Sequence, residues 1–261
     1  MSLFAVPVMY ALFIWWFSTG LILYLDRRSP SSLNRSMIGA TAVLAAAIYG
    51  LYASRNDTTL AGAYVGFTCA LLAWAWIEMS YFMGWITGPR KEGCPPGITG
   101  WRRFKLAIQV SLHHELVIVG FGTCIASGLW DMPNQVGTWT FFVLWFMRWS
   151  AKLNLFLGAP NLHSEFLPEH LRFLETYMSK KPINFLFPVS VTCATVVVLL
   201  LLVAAGAPDA SVFETTGLVL VATLLGLAIL EHWFLVVPLP DASLWRWAVR
   251  TTSNQPREGR A

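Results

Sequence analysis

Seven long apolar stretches, separated by short polar or proline-containing segments, organise this chain of 261 residues. Each stretch can cross about 30 Å of hydrocarbon as a helix that rises about 1.5 Å per residue. Lipid offers the backbone no hydrogen-bond partner, which excludes open sheets within the membrane. We therefore predict an all-α polytopic membrane protein, with seven transmembrane helices at residues 3–25, 37–54, 60–87, 106–130, 136–158, 184–206 and 211–237.

The composition supports this interpretation, because 56% of the residues are hydrophobic and only 12% are charged. A soluble domain carries about 25% charged residues, so the lipid bilayer must be the solvent for most of the chain. The net charge of +4 is then explained by basic loops and does not indicate a nucleic-acid partner. The four cysteines form no CxxC pair, which argues against a disulfide scaffold or a cysteine zinc site.

The distribution of Lys and Arg predicts the orientation. Fifteen of the eighteen lie in alternate loops and in the C-terminal segment, whereas the other set of loops contains only Arg55. Basic residues collect on the cytoplasmic side of a membrane. We expect the N-terminus outside and the C-terminus in the cytoplasm, with a transmembrane domain at residues 1–240 and a cytoplasmic tail at residues 241–261.

The cytoplasmic segment at residues 165–181 combines apolar residues at helical spacing with charged residues off that stripe. Pro168 lies near its start, where proline is tolerated. This pattern predicts an amphipathic helix in the membrane interface. Its candidate partner-binding residues are Glu165, Phe166, Leu167, His170, Leu171, Leu174 and Met178.

Ionisable and polar residues inside four of the predicted spans are the candidate functional residues. Counted from the helix ends, all lie in the cytoplasmic half of the membrane. A charge at such depth costs about 2.5–3.5 kcal/mol, so these groups should face one another or a wet cavity. The predicted cluster consists of Glu78, Glu115, Arg148, Lys152, Asn154, Glu231 and His232.

Two adjacent histidines, His113 and His114, lie beside this cluster in the sequence. Neighbouring residues point about 100° apart around a helix, so the two imidazoles cannot face the same way. Either neutral ring could ligate a central metal, including the magnesium of a chlorophyll-type pigment. The spacing does not require such a ligand, but His113 and His114 are the candidate pigment-binding residues, and no separate metal site is predicted.

The cluster is compatible with ion pairs that only fix helix register, with a binding site, or with a catalytic site. The chain contains no HExxH, GxSxG or P-loop motif, and its five histidines are too few for a membrane di-iron enzyme. The seventh span contains no lysine for a retinal Schiff base. We therefore predict no enzymatic activity, and a proton-coupled transporter stays open as an alternative.

Three stretches resemble the PuhE family of proteins assigned to photosynthetic complex assembly. They are the opening LFAVPVMYALFIWWFSTGLILYLDR, HHELVIVG at 113–120, and residues 134–178. The third stretch contains the most specific parts, RWSAKLN at 148–154 and EFLPEHL at 165–171. The resemblance runs over nearly the whole chain.

This resemblance implies a protein of the photosynthetic intracytoplasmic membrane of purple-type phototrophic bacteria. It implies a role in assembling the reaction centre and core antenna, or in supplying bacteriochlorophyll or a tetrapyrrole precursor to them. The expected partners are the subunits of those complexes or chlorophyll-synthesis enzymes. An accessory subunit, present at fixed stoichiometry in a pigment–protein complex or with such an enzyme, is the alternative. No catalytic residues come with the family.

Overall fold

A computed structural model of the chain describes residues 2–26, 30–162, 167–238 and 244–249. All regular elements within these residues are helical. The α-helices are α1 (Ser2–Asp26), α2 (Pro30–Ala53), α3 (Leu60–Phe82), α4 (Gly100–Gly128), α5 (Val136–Leu157), α6 (Leu186–Ala205), α7 (Val212–Phe234) and the short α8 (Arg246–Val249). A 3-10 helix at Glu169–Tyr177 lies between α5 and α6.

Six of these helices, α1, α2, α3, α4, α6 and α7, are long and apolar enough to cross a membrane. They support the prediction of a multi-pass membrane protein. The remaining predicted span, α5, has 22 residues and is long enough, but it is not among the six that are apolar enough by mean hydropathy. Arg148, Lys152 and Asn154 lie in its second half and lower its hydropathy.

Helices α3 and α7 form the centre of the bundle and are the most buried of the six candidate spans. Helix α7 packs against α1, α3, α5 and α6, and α2 packs along α3. Phe67 and Leu71 of α3 meet Leu220 and Leu224 of α7 in the main apolar core. Helix α4 lies at the edge, where it contacts α5 and α3 less extensively.

The loops before α3 and before α5 lie at the end of the bundle opposite the predicted cluster, and they fix how these two helices cross. Asn134 is 2% exposed, and its amide donates to the carbonyls of Ser54 and Gly62 at 3.0 and 2.9 Å. One turn further on, the backbones of α3 and α5 approach so closely that a Cβ on Gly137 would lie 3.1 Å from the Gly66 carbonyl oxygen. This anchoring sets the register in which the two helices present their polar residues.

Three predicted helix boundaries differ from the structure by five or more residues. Helix α3 ends at Phe82 instead of residue 87, because Gly84 adopts a positive φ of 78° and turns the chain back toward α4. Helices α4 and α2 begin earlier than expected, at Gly100 and Pro30. Charged and polar residues at these two helix starts hid the extra turns from a hydropathy pattern.

The predicted amphipathic α-helix at residues 165–181 is a shorter 3-10 helix, Glu169–Tyr177. Leu171 and Tyr177 are buried and Leu174 is half-buried. These three residues are three positions apart, and a 3-10 helix stacks every third side chain on one face. The segment therefore has an apolar face, but that face repeats every three residues. The spacing of Leu167, Leu171, Leu174 and Met178 had instead indicated an α-helix.

The described part of the predicted tail packs on α1. Trp16 donates its indole N–H to the Leu244 carbonyl at 2.9 Å, and Trp245 donates to the Trp16 carbonyl at 3.0 Å. Gly20 of α1 leaves room for the indole of Trp247. The rest of the tail predicted at residues 241–261 lies outside the described residues.

Candidate functional site

A kink in α4 places the histidine pair. Ser111 has non-helical dihedral angles (φ −119°, ψ 15°) inside the helix. Three residues later, the backbone N–H of His114 donates to the carbonyl of Thr87 at 3.0 Å, outside its own helix. Gly88 lies directly against the backbone of Gln109 and Val110. The loop that follows α3 therefore inserts beside α4, and a missing helical hydrogen bond is a recognised cause of such kinks.

The first ion pair joins α3 and α5. Arg148 Nη2 lies 2.9 Å from Glu78 Oε2, and the Glu78 side chain is 10% exposed. The other carboxylate oxygen, Oε1, lies 3.9 Å from Nε2 of His114 on α4. The His114 ring is fully buried and lies 4.5 Å from the ring of Tyr81, tilted by 40°. Glu78 thus stands between a guanidinium and an imidazole.

The second ion pair joins α4 and α5. Lys152 Nζ lies 2.5 Å from Glu115 Oε1, and Trp149 donates its indole N–H to Glu115 Oε2 at 2.6 Å. The hydroxyl of Ser111, at the kink, donates to Glu115 Oε1 at 3.3 Å. Both carboxylate oxygens are therefore satisfied, as a charge away from water requires.

A third network joins α5 and α7. His232 is 1% exposed, and its Nδ1 lies 2.8 Å from the Ala228 carbonyl, so Nδ1 carries a proton. In the neutral ring, Nε2 then accepts the Ser150 hydroxyl proton, at 2.8 Å. Asn154 is buried as well, and its amide donates to the Ser150 carbonyl at 2.9 Å. These contacts lock the facing sides of α5 and α7.

Glu231, the last acid of the predicted cluster, lies on an exposed face of α7. Its Oε1 accepts a hydrogen bond from the indole of Trp15 on α1 at 2.8 Å. Within the described residues it forms no direct ion pair with Arg148 or Lys152. The structure therefore brings Glu78, Glu115, Arg148 and Lys152 into two ion pairs beside His114, while Glu231 and His232 form separate contacts.

The two histidines differ completely in their surroundings. His113 is exposed on the outer face of α4, and it makes no side-chain hydrogen bond within the described residues. His114 points into the bundle, where neither ring nitrogen has a hydrogen-bond partner among the described residues. Glu78 Oε1 and Arg148 Nε beside it are likewise without partners there. The buried side of the site could hold a proton or a water molecule, whereas only His113 is open to a large ligand.

The structure distributes the predicted interfacial residues over both sides of their segment. Leu171 is buried, Leu167, Leu174 and Met178 are half-buried, and His170 is exposed. Glu165 and Phe166 lie outside the described residues. The segment is fastened to the loop after α3, since Tyr177 accepts from Arg90 Nε at 2.6 Å and donates to the Glu92 carbonyl at 3.0 Å.

His170 links this segment to the end of α3 and gives stability a pH dependence. Its ring lies against Gly84, and the partial burial of the ring on that side lowers its pKa, with a smaller contribution from the charge of Lys91; a hydrogen bond to the Phe82 backbone opposes both. Because the folded state favours the neutral ring, its contribution is present above the unfolded pKa of about 6.5 and is lost as the pH falls below it. The thermal midpoint of the purified protein should therefore fall between pH about 7 and about 5.5, and less so for His170→Asn.

The control for this pH dependence is His113→Asn, which changes an exposed histidine and leaves His170 in place. It should keep the wild-type decrease in thermal midpoint. An unchanged pH profile in His170→Asn would show that other groups cause the decrease.

Several residues of the site carry no signal in the sequence. Tyr81 stacks on His114, Trp149 and Ser111 bind Glu115, and Thr87 accepts from the His114 backbone. All are uncharged, and such residues are common in membrane helices and loops. Only the preference of buried charges for hydrogen-bond donors indicates that partners of this kind should exist.

No group of three or more His, Cys, Asp or Glu side chains that could hold a metal ion occurs in the described ranges. The arrangement offers paired charges, a buried imidazole without hydrogen bonds, and an exposed imidazole one residue away. These groups can tie three helices together, hold a proton between Glu78 and His114, and present His113 to a ligand in the membrane.

Comparison with known proteins identifies relatives along the full length of the chain. A family model described as "Protein of unknown function (DUF3623)" matches residues 1–256. A protein of Rhodobacter capsulatus, described as "Uncharacterized 30.4 kDa protein in puhA 5'region", is 39% identical over 241 residues, which cover 90% of this chain and 87% of that protein. No solved structure matches the chain. The description of this relative names the 5' region of puhA, and the similarity along the chain confirms the resemblance to the PuhE family.

Proposed function

Because the chain belongs to the DUF3623 family, we propose that it is an assembly factor for the bacterial photosynthetic reaction centre and core antenna. One observation carries the proposal. The relative from Rhodobacter capsulatus is 39% identical, and its description places it in the 5' region of the photosynthesis gene puhA. Genes in one bacterial locus commonly serve one process, and a membrane protein suits the assembly of membrane complexes.

The proposal includes seven spans with the N-terminus outside. The 22 residues of α5 extend about 33 Å at 1.5 Å per residue, which is enough to cross the hydrocarbon. Its Arg148 and Lys152 are paired with acids of α3 and α4, so the polarity of α5 faces protein partners. The excess of basic residues in alternate loops supports a cytoplasmic C-terminus in the inner, intracytoplasmic membrane.

Bacteriochlorophyll or a tetrapyrrole precursor is the proposed ligand, and His113 is the residue that would hold it. A pigment whose magnesium binds an imidazole needs open space in front of the ring. His113 is exposed, and Gly120, two turns along α4, has no atom within 4 Å of the position of a Cβ. His114 does not fit this role, because it is fully enclosed against Tyr81. The bound ring would supply light absorption, and the chain would supply the His113 imidazole as a ligand and a lipid-facing surface.

The pigment proposal predicts a difference between the two histidines. The wild-type protein, purified in a mild detergent, should absorb in the near infrared, and His113→Ala should lose most of this absorbance while keeping its thermal midpoint. His114→Ala should keep the pigment but unfold at a lower temperature, since it leaves a cavity in the core. Equal pigment in wild-type and His113→Ala protein would contradict the assignment.

Deletion of the gene tests assembly itself. A deletion strain should contain markedly less reaction centre and core antenna, measured as near-infrared absorbance per membrane protein, and the wild-type gene should restore it. The factor should be scarce in mature complexes and enriched in newly labelled ones. A fixed ratio in mature complexes would instead identify an accessory subunit, and normal complex yield in the deletion strain would reject both roles.

A proton-coupled transporter is the second candidate, and the unpaired atoms of Glu78 and His114 favour it. A carboxylate and an imidazole 3.9 Å apart could share a proton within the membrane. Proteoliposomes containing the protein would then take up protons in response to a potential, and His114→Gln would abolish the uptake. If proteoliposomes with the wild-type protein take up no more protons than those with His114→Gln, the transporter is rejected and assembly is the remaining candidate.

A further inference from the structure

An open groove of about 410 Å³ lies where α4 begins and α5 ends, away from the ion pairs. Its walls are formed by Trp101 and Phe104 of α4 and by Leu153 and Phe156 of α5. The volume falls within the range of roughly 300–1,000 Å³ that is usual for small-molecule sites. Because one end of each helix lies here, the groove is at the level of the membrane interface. It combines an apolar floor with a polar edge.

Two cations, Arg103 and Lys181, stand at that edge, and no acidic residue lines the groove. The Arg103 guanidinium donates to the Ser179 hydroxyl at 2.8 Å and to the Tyr177 carbonyl at 2.5 Å, and both acceptors are neutral. It also lies 4.6 Å from the centre of the Phe156 ring. Neither cation forms an ion pair within the described parts of the chain, so the groove carries two uncompensated positive charges.

The backbone holds these cations in place. The N–H of Ser179 donates to the Leu155 carbonyl at 3.0 Å, and the N–H of Ala159 donates to the Ser179 carbonyl at 3.0 Å. Gly158 adopts a φ of 137°, and the aliphatic stem of Lys181 packs directly on it, where any side chain would collide with it. The segment after the 3-10 helix is thus fastened to the end of α5, which fixes the distance between charge and apolar wall.

We propose that this groove is a binding site for an anionic phospholipid. The headgroup phosphate contacts Arg103 and Lys181, and one acyl chain lies along Phe104, Leu153 and Phe156. Arginine binds phosphate through several donors at once, and aromatic rings settle at the interface. A zwitterionic lipid would bring its own cation toward two others, and a free phosphate ion would leave the apolar walls uncovered. Charge and shape therefore select an anionic amphiphile.

Native mass spectrometry of the full-length protein tests this site. The protein is stripped of lipid, then titrated with phosphatidylglycerol or with phosphatidylcholine of the same acyl chains. The wild-type protein should retain phosphatidylglycerol in preference. Because each basic group near an anionic headgroup contributes about a fivefold gain in affinity, the double variant R103Q/K181Q should bind about 25-fold more weakly.

The matched control is R102Q/K180Q, which removes the two basic residues next in sequence to the groove cations and has the same net charge. It should bind phosphatidylglycerol within about twofold of the wild-type protein, because neither residue lines the groove. Equal loss in both double variants would overturn the site in favour of general surface charge. Equal retention of the two lipids would overturn the selection for an anion.

A second variant keeps the test decisive if R103Q/K181Q unfolds, since Arg103 also holds Tyr177 and Ser179. Leu153→Trp fills the groove from an already exposed position and leaves both cations unchanged. It should keep the wild-type thermal midpoint and lose most phosphatidylglycerol binding. Undiminished binding in Leu153→Trp, or displacement of the lipid by glycerol phosphate alone, would show that no acyl chain occupies the groove and would overturn the proposal.

Discussion

Glu78→Gln is expected to be the most destabilising single substitution among the intramembrane acids. It leaves the Arg148 guanidinium, now 2.9 Å from the Glu78 carboxylate, without its counter-charge within the bundle. Removing one member of a buried ion pair costs about 3–5 kcal/mol, and an unpaired charge at depth costs a similar 2.5–3.5 kcal/mol. The free energy of unfolding should decrease by about 3 kcal/mol or more, measured by denaturant titration in detergent micelles or bicelles.

Two controls isolate the charge effect at Glu78. Glu78→Gln combined with Arg148→Gln removes both charges and should recover most of the lost stability, because neutral amides can hydrogen-bond to each other. Glu231→Gln changes an exposed acid whose bond from Trp15 an amide oxygen can still accept, so it should cost less than about 1 kcal/mol. If the double variant were less stable than Glu78→Gln alone, the pairing with Arg148 would not explain the loss.

Gly88→Ala should disrupt the site from outside the membrane helices. A Cβ at this buried position would collide with the carbonyl oxygen of Gln109 and the backbone of Val110, neither of which can rotate away. The loop must move, and the His114 N–H then loses its bond to the Thr87 carbonyl. Overpacking costs about 1–3 kcal/mol and an unsatisfied buried N–H about 1–3 kcal/mol, so we expect a loss of about 2–6 kcal/mol.

Hydrogen–deuterium exchange locates the effect of Gly88→Ala. Amides around the kink, at residues 111–115, should exchange faster, whereas those of the α3–α5 crossing should not. Gly39→Ala is the control, because a Cβ there meets no atom within 4 Å and alanine favours a helix. Protection at 111–115 that matched the wild-type protein would mean that the loop accommodates the methyl group without leaving α4.

The polar layer also restrains how the helices can move relative to one another. Glu78, Glu115 and His232 each join α5 to a different neighbour, namely α3, α4 and α7. Helix α5 is therefore held on three sides by polar contacts at one end, while the other end is held by the close approach of Gly66 and Gly137. His113 lies outside these contacts, so a ligand on the outer face of α4 could bind without breaking them.

The sequence by itself determined the helices and indicated that the charged side chains of several spans lie at one depth. A chain with so few charged residues has lipid as its solvent, and in lipid every backbone group must bond within a helix. Acids in α3 and α4 and bases in α5 at a common depth have no better partners than each other. That requirement predicts that acids and bases meet, but only the structure shows that Glu78 binds Arg148 and Glu115 binds Lys152, while Glu231 accepts from Trp15 instead.

Only the tertiary structure decided which way each residue faces. Adjacent histidines must point apart, but the rotation of α4, set by the loop at Thr87 and Gly88, decides that His114 is inside and His113 outside. The segment at 169–177 buries every third side chain as a 3-10 helix, and hydrogen bonds from Tyr177 to the loop after α3, far away in the sequence, hold it there. The groove likewise combines residues from α4, α5 and the segment before α6. Packing fixes these features, and packing couples positions whose separation along the chain carries no local pattern.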